Sequence, residues 1–255
     1  MSRDSSQPED LAAELHFQLS SIDRRNILSE LRPGSLRLHE ITKRLGLTGT
    51  EALRQVQRLA DAQLIERLSD GKYRLTQFGT LALVTSSSLD FVSRYRRFFL
   101  DHDASLLPPE FRARLGELSG AMLVGSEYDS LNRATEMFKN AKDRIDVMND
   151  RGLELHGQIM RGRVAEGLKI RWILHPDRLA ELKPMLHSVE NLPEIRAGLN
   201  VPGAVVATDL EAGIALRLND GTMSNIGFFG RDAPFMKWAA DLFRYEWEKA
   251  KPWHP

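Results

Sequence analysis

Apolar residues recur at helical spacing from Ser21 to Leu31 and stop at Pro33-Gly34, which predicts an amphipathic helix. A second short helix is predicted from Leu38 to Leu45, after which Gly46-Leu47 turns the chain. Thr48-Gly49-Thr50-Glu51 reads as a capping box, in which the Thr48 hydroxyl and the Glu51 carboxylate satisfy free amides, so a third helix begins at Gly49. Ala52, Val56 and Leu59 form its buried stripe and leave Thr50, Leu53, Arg54, Gln57 and Arg58 on or near the open face. Leu64 to Leu68 and Lys72 to Leu75 alternate as a hairpin, and Asp70-Gly71 in the link predicts a tight type I′ turn.

Further on, Leu81, Val84, Phe91, Val92, Tyr95, Phe98 and Phe99 form an apolar helical face between Thr80 and Leu100, with Ser86-Ser87-Ser88 as a candidate break. That face is expected to be a dimer seam; the alternative is packing on the next domain. Pro108-Pro109 marks a boundary, and an alternating α/β pattern follows. Strands are predicted at 121–124, 144–148, 168–174, 195–199, 204–208, 213–218 and 224–228, and helices at 127–141, 153–165, 178–188 and 233–249. The domain reading is therefore a tail and lead-in helix (1–20), a winged helix-turn-helix of α+β class (21–80), a linker helix (81–107) and an α/β effector domain (108–255).

Helix, turn, helix and two-stranded wing form a docking device for the major groove, so double-stranded DNA is the expected partner. Arg54 and Arg58, one turn apart, are the candidate base readers, joined by Thr48, Thr50 and Gln57. Arg37, Lys43, Lys72 and Arg74 are candidate phosphate contacts, which position without reading sequence. Glu51 could accept from a cytosine amine, but its capping role takes precedence.

Charge sharpens this picture. The chain of 255 residues has 35 Lys+Arg and 35 Asp+Glu, yet residues 21–80 carry 11 basic and 7 acidic, a net of +4, while residues 1–20 carry −3. So modest an excess asks for two copies on one operator and strongly salt-dependent binding. With no cysteine there is no disulfide framework, thiolate nucleophile or cysteine-ligated metal. Neither a signal peptide nor a bilayer-length apolar run is visible, so a cytoplasmic protein with no membrane partner is expected.

The words Leu64-Ile65-Glu66 and Asp70-Gly71-Lys72-Tyr73-Arg74-Leu75-Thr76-Gln77-Phe78-Gly79 resemble the wing of ArsR-like and TrmB-like prokaryotic regulators. One departure is Gln63, where those regulators carry glycine at a left-handed helix end, a difference of about 1 kcal/mol. A second resemblance covers most of the chain. Phe99-Leu100-Asp101-His102-Asp103, Leu107-Pro108-Pro109-Glu110-Phe111, Pro193-Glu194-Ile195-Arg196, Val205-Val206-Ala207-Thr208-Asp209 and the ending from Phe235 to Trp247 are similar to archaeal winged-helix regulators with the effector domain of the methanogen filamentation regulator FilR. That resemblance implies an archaeal transcription regulator, of a family some of whose members control methanogenesis genes.

The order of elements after Gly120 also resembles TrmB-like effector domains, built on a phospholipase-D-like shell. A working phosphodiesterase of that kind needs His-x-Lys, and no histidine in this chain is followed by lysine two positions on. The domain is therefore read as lacking its catalytic motif, with no enzyme activity, no catalytic residues, no cofactor and no metal expected. Asp101-His102-Asp103 fits a cap or ion-pair role, Ser126 a helix N-cap, and Trp238, Phe243 and Trp247 core anchors. A small anion or polar metabolite is expected at the strand ends, bound by Arg151, His175 and Arg196, with Asn149, Arg217 and Asn225 nearby. Arg151 could instead pair with Asp146 or Asp150, and His175 could cap the following turn. The rival functions are a phosphodiesterase and a pure protein-assembly module.

Overall fold

The computed structural model describes residues 8–149, 153–180 and 193–254, and the chain divides after Ser87 into two compact units. The N-terminal unit holds α1 (Pro8–Ser20), α2 (Ile22–Glu30), α3 (Leu38–Leu45), α4 (Gly49–Asp61), β1 (Ile65–Arg67), β2 (Tyr73–Leu75) and the first part of α5 (Gln77–Arg94). Each boundary has a local cause. Ser21 caps α2 by accepting from Arg24 N–H, and Gly46 ends α3 in the left-handed conformation (φ 66°). Gln63 takes the same conformation (φ 57°) after α4, as its place in the wing pattern requires.

Ile27, Leu28, Ile41, Val56, Leu59, Leu64 and Ile65 close the core of this unit. Arg24 is buried among them, an arrangement periodicity does not reveal. It donates to the Gln18 and Phe17 carbonyls at 2.7 and 2.6 Å and to Gln55 Oε1 at 3.2 Å, tying α1 and α4 to α2. Leu36 exchanges backbone hydrogen bonds with Tyr73 (3.0 and 2.8 Å) and so adds a third rung to the wing.

Two sequence expectations are corrected here. The wing link is not a type I′ turn, which needs positive φ at two central residues; only Gly71 has it (φ 82°), and Gly71 N–H closes on Leu68 O at 3.0 Å. Asp70 Oδ1 accepts from Lys72 N–H at 3.1 Å, which favours this three-residue link. The triple serine does not break α5, because Ser86 and Ser87 donate to the Leu83 and Val84 carbonyls three residues back and stay compatible with a helix.

The C-terminal unit contains α6 (Arg96–Asp101), α7 (Pro109–Ala113), β3 (Met122–Val124), α8 (Glu127–Asn140), β4 (Arg144–Met148), α9 (Leu153–Ala165), β5 (Lys169–Leu174), β6 (Glu194–Ala197), β7 (Gly203–Thr208), β8 (Ala212–Arg217), β9 (Met223–Gly230), α10 (Ala233–Lys249) and β10 (Lys251–Trp253). Most of the predicted helix 178–188 lies outside the described residues. The strands form one sheet in the order β10-β6-β5-β4-β7-β8-β9-β3. Only β4–β5 and β5–β6 pair in parallel; β7, β8, β9 and β3 form an antiparallel meander. This is a mixed α/β domain.

Its two faces carry separate cores. Ile145, Val147, Ile170 and Trp172 pack with Phe138 of α8 and Met160 and Val164 of α9. On the other face Val205, Ile214 and Phe228 pack with Phe91, Phe98, Phe111 and the α10 residues Phe235, Trp238, Leu242 and Phe243. The apolar stripe from Thr80 to Leu100 thus splits. Phe91 and Phe98 enter the C-terminal core, whereas Leu81 and Val84 stay 65% and 56% exposed.

Candidate nucleic-acid interface and ligand cleft

The start of α4 is held by a reciprocal cap. Thr48 N–H and the Thr48 hydroxyl donate to Glu51 Oε2 at 3.0 and 2.7 Å, and Glu51 N–H donates back to Thr48 Oγ1 at 3.3 Å. The hydroxyl bond, then the backbone bond, hold the Glu51 carboxyl below the usual glutamate range, so it stays ionised at the positive end of the helix. With Ala52, Gln55, Val56 and Leu59 buried, Thr50, Leu53, Arg54, Gln57 and Arg58 stand exposed together, and Thr48, Lys43 and Arg37 are exposed nearby in the sequence. A polar face with two guanidinium groups one turn apart can make bidentate contacts to guanine edges.

Both wing cations expected as phosphate contacts are ion-paired. Arg74 Nε lies 2.7 Å from Glu66 Oε1 across the β1–β2 register, and Lys72 Nζ lies 3.4 Å from Asp70 Oδ2. The bond from Lys72 N–H also holds the Asp70 carboxyl below its ordinary range. Either cation must exchange a carboxylate for a phosphate to bind DNA.

Of the six residues expected at a ligand site, five are described, and these five do not converge on one place. Arg196 donates to the Trp247 carbonyl at 2.8 Å and lies over the Trp247 ring, while Arg217 donates to the Val201 and Gly221 carbonyls at 2.9 and 3.0 Å. His175 Nδ1 accepts from Asp177 N–H at 3.4 Å, the turn-capping role. Arg151 lies outside the described residues. Asp146, a proposed partner for it, is buried and takes a bidentate pair from Arg171 at 2.7 and 2.8 Å. Of the five described, only Asn149 and Asn225 line one small cleft, together with Ser130, which sequence reading assigned no role. A wider cleft of about 890 Å³ is lined by Asp129, Arg133, Lys142 and Arg231, but its central Glu211 already binds Arg133 and Arg231 at 2.6 and 3.0 Å. Among the described residues no cluster of three His, Asp or Glu side chains is placed to hold a metal, and no helix is long and apolar enough to cross a membrane.

No curated protein matches the chain. Among solved structures it is similar to TrmBL2, an archaeal chromatin protein with a novel mode of DNA binding, at 17% identity over 96% of this chain and 99% of that one, with a TM-score of 0.44. The transcriptional repressor BigR from Xylella fastidiosa matches at 20% identity over 34% of this chain and 84% of its own, with a TM-score of 0.27. Human N-acetylserotonin methyltransferase matches at 15% identity over 78% and 68%, with a TM-score of 0.28, and other methyltransferases match similarly. The expectation that the chain is not an enzyme is corrected: it rested on a missing His-x-Lys motif, which bears on phosphodiester cleavage alone, and the matched structures include methyltransferases. With TM-scores below 0.5, no neighbour's activity transfers to this chain. Residues 12–97 match the family model described as the HVO_A0261 N-terminal domain.

Proposed function

We propose that the chain is a sequence-specific DNA-binding transcription regulator that acts as a dimer and senses a small ligand through its C-terminal domain. The observation that carries this reading is the exposed Thr50-Arg54-Gln57-Arg58 face of α4, fixed by the Thr48–Glu51 cap and followed directly by a two-stranded wing. Phe78, Leu81 and Val84 on α5 supply an exposed apolar stripe for a second copy. Paired recognition helices then meet successive major grooves about 34 Å apart. Events in residues 101–255 change that spacing through the 80–100 segment and so change affinity.

The finer reading, an ArsR-like head with a FilR-like effector domain on a phospholipase-D-like shell in an archaeal cytoplasm, is supported by the sequence words given above. Control of methanogenesis genes belongs to the same proposal. The test is binding of the full chain to its own upstream DNA against a scrambled duplex, titrated over salt. Preference for the native duplex, with affinity falling steeply as salt rises, supports the reading; equal binding at every salt concentration refutes it.

A further inference from the structure

The register of the meander sets Ala204 opposite Ala215 and Ala215 opposite Gly227, so one row across β7, β8 and β9 carries nothing larger than a methyl group. The β4–β7 register, which pairs Met148 with Val205, places Asn149 at the end of this same row. α8 covers the face with Ser130, Ala134 and Phe138, leaving a cleft of about 50 Å³ that Asn225 also lines. A single water needs only about 10–15 Å³ on that measure.

Two polar atoms in this cleft are unanswered. Ser130 is 2% exposed, and its Oγ has no hydrogen-bond partner; Asn149 Oδ1 is buried and has none either. Buried polar groups are ordinarily satisfied, so two orphans lining one gap mark a place built for a molecule that completes them. Among the described residues that line the cleft none is charged. A carboxylate has no proton to offer Asn149 Oδ1 and would find no cation among these lining residues, so an uncharged ligand suits the cleft better than an anion.

We infer that this cleft binds a small uncharged molecule, or the uncharged end of a larger one, whose N–H or O–H donates to Asn149 Oδ1 while a second polar atom bonds Ser130 Oγ. Primary amides and alcohols have this chemistry. The inference deepens the sensing role proposed above, on which its regulatory meaning rests. Binding measured without DNA keeps the two separable: occupancy that leaves DNA affinity unchanged would refute sensing and leave the site standing.

The probe is acetamide, with acetate as its charged isostere, titrated into the full chain while the Asn149 and Asn225 side-chain amides are followed by NMR. Saturable shifts with acetamide and none with acetate are expected. Ser130→Ala should weaken acetamide about three- to tenfold, the value of one net hydrogen bond, while leaving the melting temperature unchanged or raised, because the hydroxyl it removes is unpartnered. Ala204→Leu, which fills the row, should abolish the shifts. No saturable acetamide shift, as when the cleft holds ordered water only, would overturn the inference. So would equal binding of acetate, or undiminished binding to a folded Ser130→Ala.

Discussion

Gly79→Ala tests how the wing is seated. Gly79 lies in the first turn of α5, where a Cβ would sit 1.9 Å from Leu64 O and 2.8 Å from Leu64 C, all backbone that no rotamer can move. Ordinary carbon–oxygen contacts begin at roughly 3.3 Å, so one segment must shift by about 1.4 Å. The same junction is held by Thr76, whose N–H donates to Leu64 O at 3.1 Å, whose hydroxyl donates to Gln63 O at 2.6 Å, and whose Oγ1 accepts from Gly79 N–H at 2.9 Å. Overpacking costs about 1–3 kcal/mol and lost hydrogen bonds about 1–2, offset by about 1 from the better helix propensity of alanine, for a net loss of about 1–4 kcal/mol. Amide hydrogen exchange at Gln63 and Leu64 in the full chain should accelerate roughly 5- to 1,000-fold, with DNA affinity falling alongside. Gly46→Ala is the comparison: nothing lies within 4 Å of its Cβ, and only its positive φ opposes substitution, at about 1 kcal/mol. A Gly79→Ala protein with unchanged exchange would refute the close approach as the reason for glycine.

Arg54→Ala should cost about 1–3 kcal/mol of DNA binding and relax sequence choice, read by competition among mutated duplexes; an equal loss on every sequence would make Arg54 a phosphate contact. Leu81→Glu, placed in the exposed α5 stripe, should turn a dimer into a monomer by analytical ultracentrifugation, and an unchanged mass would remove the stripe from the interface. Glu51 has a depressed folded carboxyl, so its contribution is present near neutral pH and lost as pH falls through its folded value, below the usual glutamate range. Acid exchange measurements on the α4 amides should therefore show a loss of protection that Glu51→Gln flattens, and an identical profile in both proteins would contradict that role. Asp146→Ala leaves Arg171 beneath Phe243 and Trp247 without its carboxylate and should destabilise by about 2–3 kcal/mol in urea unfolding. That is less than for a fully buried pair because Arg171 is one-third exposed; no change would show that the pair contributes nothing.

The N-terminal unit was legible because its signals are local. The Thr48–Glu51 cap, the Gly46 turn and the Ala52-Val56-Leu59 stripe each involve residues within a few positions of one another, so chain spacing alone specifies which groups meet, while the left-handed Gln63 was implied by the resemblance of the wing. In the second unit the same logic found β4, α9 and α10 at their observed limits, and Asp232 caps the start of α10. It missed β10, a three-residue edge strand containing Pro252, too short to show alternation. Partnership across the sheet was equally out of reach. Arg196 and Arg217 looked like ligand groups at strand ends, yet backbone carbonyls distant in the sequence claim both. Arg24, to which the sequence pattern assigned no role, is buried as a tie between helices. Ser130 acquired its place beside Asn149 only when the β4–β7–β8–β9 register brought together residues separated by many positions. Sequence by itself determined most of the elements, the Thr48–Glu51 cap and the charge of the exposed α4 face. Tertiary structure decided strand order, which cations are free and where buried polar atoms go unanswered, because those depend on contacts between segments whose spacing along the chain carries no record of their meeting.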